Sequence, residues 1–162
     1  MSNLDNIVVE YEAAKASFEE RVKSELNVAF AQFFGTYPEF HSIQWEQYTD
    51  YFNDGEECTF SVHEKTYTAN TELFPDLDED RGFRVPSSYE RSSKYYTKEV
   101  AAFDALPVET QDSYRKLESV WEDFKNTLDS IPSELYQDVF GDHKRIIVTA
   151  EGITVEDYSD HD

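Results

Sequence analysis

The chain has 162 residues, and its 14 Lys and Arg stand against 35 Asp and Glu, a formal net charge of −21 with His neutral. A surface that negative excludes a protein that grips DNA, RNA or an anionic membrane, since those partners demand positive charge. Aromatic residues make up 15% of the chain (12 Phe, 11 Tyr, 2 Trp). That is too many for a disordered acidic chain, so one folded domain over residues 1–162 is expected.

The apolar positions Leu4, Ile7, Val8, Tyr11, Ala14, Phe18, Val22, Leu26, Ala29, Phe30 and Phe33 fall mostly three or four residues apart. That spacing predicts an amphipathic helix over about 4–34, with Gly35 and Pro38 as its stop. Near His41 the period changes to two. Ile43 and Trp45 alternate with polar residues, Asn53-Asp54-Gly55 signals a turn, and Cys58, Phe60 and Val62 alternate again. A β-hairpin over about 42–68 follows, its second strand kinked near Glu64-Lys65. Residues 70–93 hold Pro75, Gly82, Pro86 and the acidic run from Asp76 to Asp80. They read as an irregular acidic loop, the kind of segment that is functional or mobile.

A short helix is expected over 94–106. Beyond it Tyr114, Leu117, Trp121, Phe124, Leu128 and Ile131 step 3, 4, 3, 4, 3, a strict coiled-coil seam on a helix over about 107–131. An exposed part of that seam offers a route to a homodimer. Pro132 ends the helix, and Ser133 to Phe140 add a brief extra turn. Two β-rich runs around Glu151-Gly152 predict a second hairpin over about 144–158, with a frayed acidic tail at 157–162. The economical arrangement is α+β, with the two long helices packed on a mainly antiparallel sheet made from the two hairpins.

Motifs for chemistry are missing. With five Gly and no Gly-rich loop, neither a Walker A nor a dinucleotide fingerprint is present. Arg81, Arg84 and Arg91 are the clustered candidates for an anion pocket; the plainer expectation pairs them with the acids from Asp76 to Asp80. Asp76, Asp78 and Asp80 have calcium-loop spacing, but Arg81 replaces the required Gly and Ser87 the bidentate Glu. His41, Cys58 and His63 show no zinc spacing, and no nucleophile elbow exists. The sequence therefore predicts no catalytic residue, no cofactor and no metal, and a protein that is not an enzyme. A small enzyme or nucleotide sponge would instead reveal itself by a concave pocket holding Arg81, Arg84 or His63.

Cys58 is the only cysteine, so no internal disulfide points to secretion. The opening Met1-Ser2-Asn3-Leu4-Asp5 has neither the basic nor the apolar region of a signal peptide. A soluble, cytoplasmic protein is expected, with no membrane partner. The segment W-x-Q-Y-T-x-Y-F-N-D-G at 45–55 and the ending E-D-Y-S-D-H-D at 156–162 resemble a family of small, uncharacterised acidic proteins of bacteria and their phages. The resemblance implies a bacterial or phage-infected bacterial cytoplasm, and no activity.

The leading functional expectation is a non-enzymatic acidic binding protein that engages a basic, nucleic-acid-handling host protein, as a DNA-mimic inhibitor in phage counter-defence. Duplex DNA carries one charge per roughly 1.7 Å, and acids along helices can imitate that row. The candidate partner-binding acids are Glu12, Glu19 and Glu20 on the first helix, Asp112, Glu118, Glu122 and Asp123 on the second, and Asp76, Asp78, Glu79 and Asp80 in the loop. The alternative is an interaction module without charge mimicry, using the helical seam or the aromatic hairpin residues Trp45, Tyr48, Tyr51, Asn53 and Asp54. Trp45, Tyr48, Tyr51 and Phe52 cannot all point inward from one alternating strand. A third reading leaves the negative charge as a solubility coat.

Overall fold

The architecture was read from a computed structural model that describes residues 2–51, 55–79 and 81–159. Asn53, Asp54, Asp80 and the end of the acidic tail lie outside the described residues. The fold is α+β, with a mainly antiparallel sheet and two long helices among its elements.

The sheet is organised by β1 (Phe40–Thr49). Alternation turns Ile43, Trp45 and Gln47 to one face, and all three are buried. Along one edge β1 pairs with β4 (Lys144–Thr149), from Ser42 opposite Thr149 to Gln47 opposite Lys144. β4 pairs in turn with β5 (Gly152–Asp157). The residues Ala150 and Glu151 close this hairpin, and Gly152 takes a φ of 138° that suits a residue without Cβ. Along its other edge β1 carries two short strands end to end. β2 (Phe60–Val62) lies against Gln47 to Thr49, and β3 (Thr66–Ala69) against Phe40 to Gln44. The break between them falls at His63–Lys65, the kink expected there. The first hairpin is looser than its turn signal suggests, since Cys58 lies outside the strands. Asp142 accepts from both the N–H and the hydroxyl of Thr49, at 2.8 and 2.6 Å, which ends the ladder of β1 at that residue.

α1 (Asn3–Thr36) opens with a capping box in which Ser2 and Asp5 satisfy each other's backbone N–H. α4 (Val108–Asp129) turns Tyr114, Leu117, Trp121 and Leu128 into the core. Leu26, Phe30, Phe33 and Phe34 of α1 meet them there, with Tyr136 and Phe140 of α5 (Ser133–Phe140). Phe33 stacks on Phe124 with centroids 4.2 Å apart, and Trp45 lies edge-on to Tyr136 at 5.7 Å. Gln47, wholly buried, is fully used. It accepts from the indole of Trp45 at 3.0 Å and donates to the carbonyls of Tyr136 and Gly141 at 3.0 and 2.7 Å. A buried amide so satisfied fixes where α5 meets β1.

Two segments depart from expectation. α1 does not lie on the core over its length, because every residue from Ser2 to Phe18 is exposed. A helix of 34 residues runs about 51 Å at 1.5 Å per residue, whereas a ten-residue strand such as β1 runs about 33 Å. The body covers one end of α1, and the other end forms an arm. The acidic loop departs in the opposite sense. Phe83 is 0% exposed, ringed by Phe40, Phe74 and Tyr114 at centroid distances of 5.1 to 5.5 Å. Its N–H donates to the Tyr67 hydroxyl at 2.7 Å. Part of the loop is helical as well: α2 (Ser88–Ser92) precedes a 3-10 turn and α3 (Thr97–Asp104). Among the described residues no helix is long and apolar enough to cross a membrane.

Candidate functional site

Anchoring Phe83 holds the acidic loop against α3 and α4. A hollow of about 280 Å³ opens where the three meet. Its apolar lining is Leu77, Phe103, Leu106 and Tyr114, all buried or half-buried. Around these stand Asp76, Asp78 and Glu99, with Arg81 and Arg84 among the lining residues. Burial pushes the Tyr114 hydroxyl pKa up, and the negative charge of Asp76 adds to it, which places that carboxylate in the field of the apolar lining. Asp76 and Asp78 therefore converge on a fixed concave surface instead of trailing in a free loop.

The arginines of this region are tied to carboxylates further along the chain. Arg84 meets Glu90 at 2.9 Å, Arg91 grips Asp104 through two nitrogens at 3.1 and 3.0 Å, and Arg81 lies 3.9 Å from Glu99. Burial pushes the Glu90 carboxyl up, but hydrogen bonds from Ser87 and Arg84 outweigh it and hold the group below its usual range. The hydrogen bond from Arg91 does the same for Asp104. A neighbouring cleft of about 470 Å³ is lined by Arg81 and Arg84, together with Lys65, Glu64, Glu118 and Glu122. A third, of about 300 Å³, holds His63 with Lys65, Lys125 and Asp129. Lys65 pairs there with Asp129 at 2.8 Å and Lys125 with Glu64 at 3.3 Å. Both clefts carry cations already matched by carboxylates of the same chain. Among the described residues no group of three or more His, Cys, Asp or Glu is placed to hold a metal ion.

The other candidates separate. Glu12 and Glu20 are exposed on the α1 arm, whereas Glu19 is half-buried. Glu79 is exposed beside Asp78. On α4, Glu122 and Asp123 are exposed, while Asp112 bridges Arg115 at 3.1 Å and Glu118 accepts from the N–H of Val85. Glu118 is thereby tied to the loop, whereas the Asp112 pair is an exposed one on the helix surface. Trp45 cannot touch a partner: it is 1% exposed and roofed by Phe30, Tyr136 and Phe140. Its place in phase with Ile43 and Gln47 sends it inward. Tyr48 points the other way and stacks on His63 at 4.1 Å, and exposed Tyr51 stacks on His143 at 4.9 Å. Most of the α4 seam is likewise closed, since Tyr114, Leu117, Trp121 and Leu128 are buried, while Phe124 and Ile131 are half-buried.

Two features lay outside the sequence reading. One is the Gln47 network, whose signal was the alternation that puts Gln47 in phase with Trp45. The other is Lys65, a lysine only 3% exposed, lying 4.8 Å from the centre of the Tyr136 ring and 5.4 Å from that of Trp45. Comparison with protein-family models, with curated proteins and with solved structures gives no match.

Proposed function

We propose that this is a non-enzymatic acidic binding protein that engages a basic partner protein through the hollow bordered by Asp76, Asp78 and Glu99, with Glu79 beside it. The observation that carries this reading is the anchored loop, which presents exposed carboxylates next to apolar surface on a rigid support. A preorganised acidic patch speeds encounter with a positive surface and loses less entropy on docking than a mobile one. Many of the chain's own cations are engaged within it: among the described residues eight of the 14 Lys and Arg take part in ion pairs with carboxylates. Asp76, Asp78 and Glu79 are exposed. A nucleic-acid-handling host protein is the partner class such a surface suits, and inhibition by DNA mimicry in a phage-infected bacterium is the finer form of the proposal.

The test is a pull-down from bacterial lysate, washed at low and high salt and competed with duplex DNA. The expected result is a basic protein held at low salt and released by high salt. The triple variant Asp76→Asn, Asp78→Asn, Glu79→Gln weakens its capture by about tenfold. Competition by DNA supports the mimic form; a captured protein that DNA leaves in place removes it. A partner that resists high salt and ignores the triple variant overturns the acidic reading. A second reading, a small enzyme or nucleotide sponge, draws on the clefts that hold Arg81, Arg84 and His63. Its test is calorimetric titration with mononucleotides, where the ion pairs already present predict no binding.

A further inference from the structure

The arm of α1 carries an apolar stripe that nothing among the described residues covers. Leu4, Ile7, Tyr11 and Phe18 are 74, 58, 62 and 52% exposed. With Ala14 they step 3, 4, 3, 4, which is the a/d spacing of a coiled coil over two heptads. Beyond Phe18 the stripe turns. Leu26, Phe30 and Phe33 lie about a quarter turn further round the helix, at about 100° per residue, and these are the residues the body buries. One helix therefore has two apolar faces, and the body uses one of them.

We propose that the second face is covered by the same face of a second copy, in a parallel two-stranded coiled coil. Charge placement argues for the copy and for its direction. With Leu4, Tyr11 and Phe18 at a and Ile7 and Ala14 at d, the flanking e positions are Val8, Lys15 and Val22, and the g positions are Asn3, Glu10 and Ser17. In a parallel pair each g residue faces the e residue of the next heptad on its neighbour. That sets Glu10 against Lys15 of the second copy, twice by symmetry. In an antiparallel pair e meets e and g meets g, and neither set contains opposite charges. A hollow of about 450 Å³ beside Phe18 and Val22, lined also by Leu26, Phe124, Leu128 and Ile131, carries the apolar surface from the arm onto the body.

This dimer responds to salt in the opposite sense to the binding proposed above. Two copies of net charge −21 repel, and salt screens that repulsion while leaving apolar burial intact. Sedimentation equilibrium from about 1 to about 200 μM is expected to show the mass rising from 18.9 kDa towards twice that value, at lower concentration in high salt. Ile7→Asp with Tyr11→Asp is expected to hold the protein at monomer mass. Its circular dichroism and melting temperature serve as controls, because both side chains are exposed in the single chain. Glu10→Lys is expected to weaken association about tenfold or more by setting each substituted side chain against Lys15 of the other copy, and Glu10→Lys with Lys15→Glu to restore it. Monomer mass throughout overturns the proposal, as does a dimer that ignores the Asp pair. A dimer indifferent to both charge variants overturns the parallel arrangement.

Discussion

α1 and α4 carry apolar side chains at the same alternating steps of three and four. The α4 seam lies in the core, whereas the seam of the α1 arm lies in water. Spacing defines a face on a helix but not what covers it. Cover depends on what the rest of the chain can reach, and the body reaches α1 only from about Val22 onward. α4 is shorter, 22 residues against 34, and packs on both the sheet and the anchored loop, through Trp121 on Tyr67 and Tyr114 on Phe83. The same pattern thus builds a core in one helix and leaves an interface in the other.

The sharpest way to break this comparison is to truncate one aromatic from each seam. Trp121→Ala removes a buried ring that packs on Tyr67 at 5.0 Å. The expected loss is about 3–5 kcal/mol of unfolding free energy, the usual cost of a large aromatic in a core. Tyr11→Ala, measured at a concentration where the chain is monomeric, is expected to stay within about 0.5 kcal/mol. Urea denaturation of the two variants checks both values. Equal losses would mean that the arm is packed in the single chain.

The acidic loop supplies a smaller test, because it reverses the arm: irregular in sequence, yet pinned. Gly82 adopts a φ of 61°, and a Cβ built there would stand 2.4 Å from the Tyr67 ring. Gly82→Ala therefore combines a backbone penalty with a clash against a side chain held by its hydrogen bond to Phe83. A loss of about 2 kcal/mol is expected, with faster proteolysis between residues 75 and 85. An unchanged cleavage pattern would show that the loop is not anchored through this contact.

Much of the fold was legible because it obeys local rules. The alternation of Ile43 and Trp45 and the turn before Gly152 each announce themselves within a few residues. The candidate site was less so. Which acids stay outward depends in part on partners distant in sequence: Asp112 meets a neighbour on its own helix, but Glu118 is claimed by Val85, 33 positions away. Burial of Phe83 within a stretch of Pro, Gly and Asp has no periodic signature, so the loop looked free. The arm looked packed for the converse reason, since its periodicity is as good as that of the buried half.

Asp142 gives the smallest effect and extends the comparison to the sheet, where a single loop carboxylate ends the pairing of β1 with β4 at Thr49. Burial pushes its carboxyl up, but the hydrogen bonds from the Thr49 hydroxyl and N–H and from the His143 N–H, together with the nearby His143 side chain, outweigh it. The net position is below the ordinary 3.8. A depressed carboxyl contributes stability that is fully present above its unfolded value and is lost as pH falls through the folded one. The remaining carboxylates confuse a direct measurement, because their protonation relieves the repulsion of a chain at −21 and works in the opposite direction. The difference between wild type and Asp142→Asn isolates the group. At neutral pH the variant is expected to be roughly 1 kcal/mol less stable, the net worth of the hydrogen bonds it weakens. That gap is expected to close as pH drops below about 4, read as urea midpoints from pH 7 downward. A gap that persists at low pH would assign the Asp142 contribution to shape instead of charge.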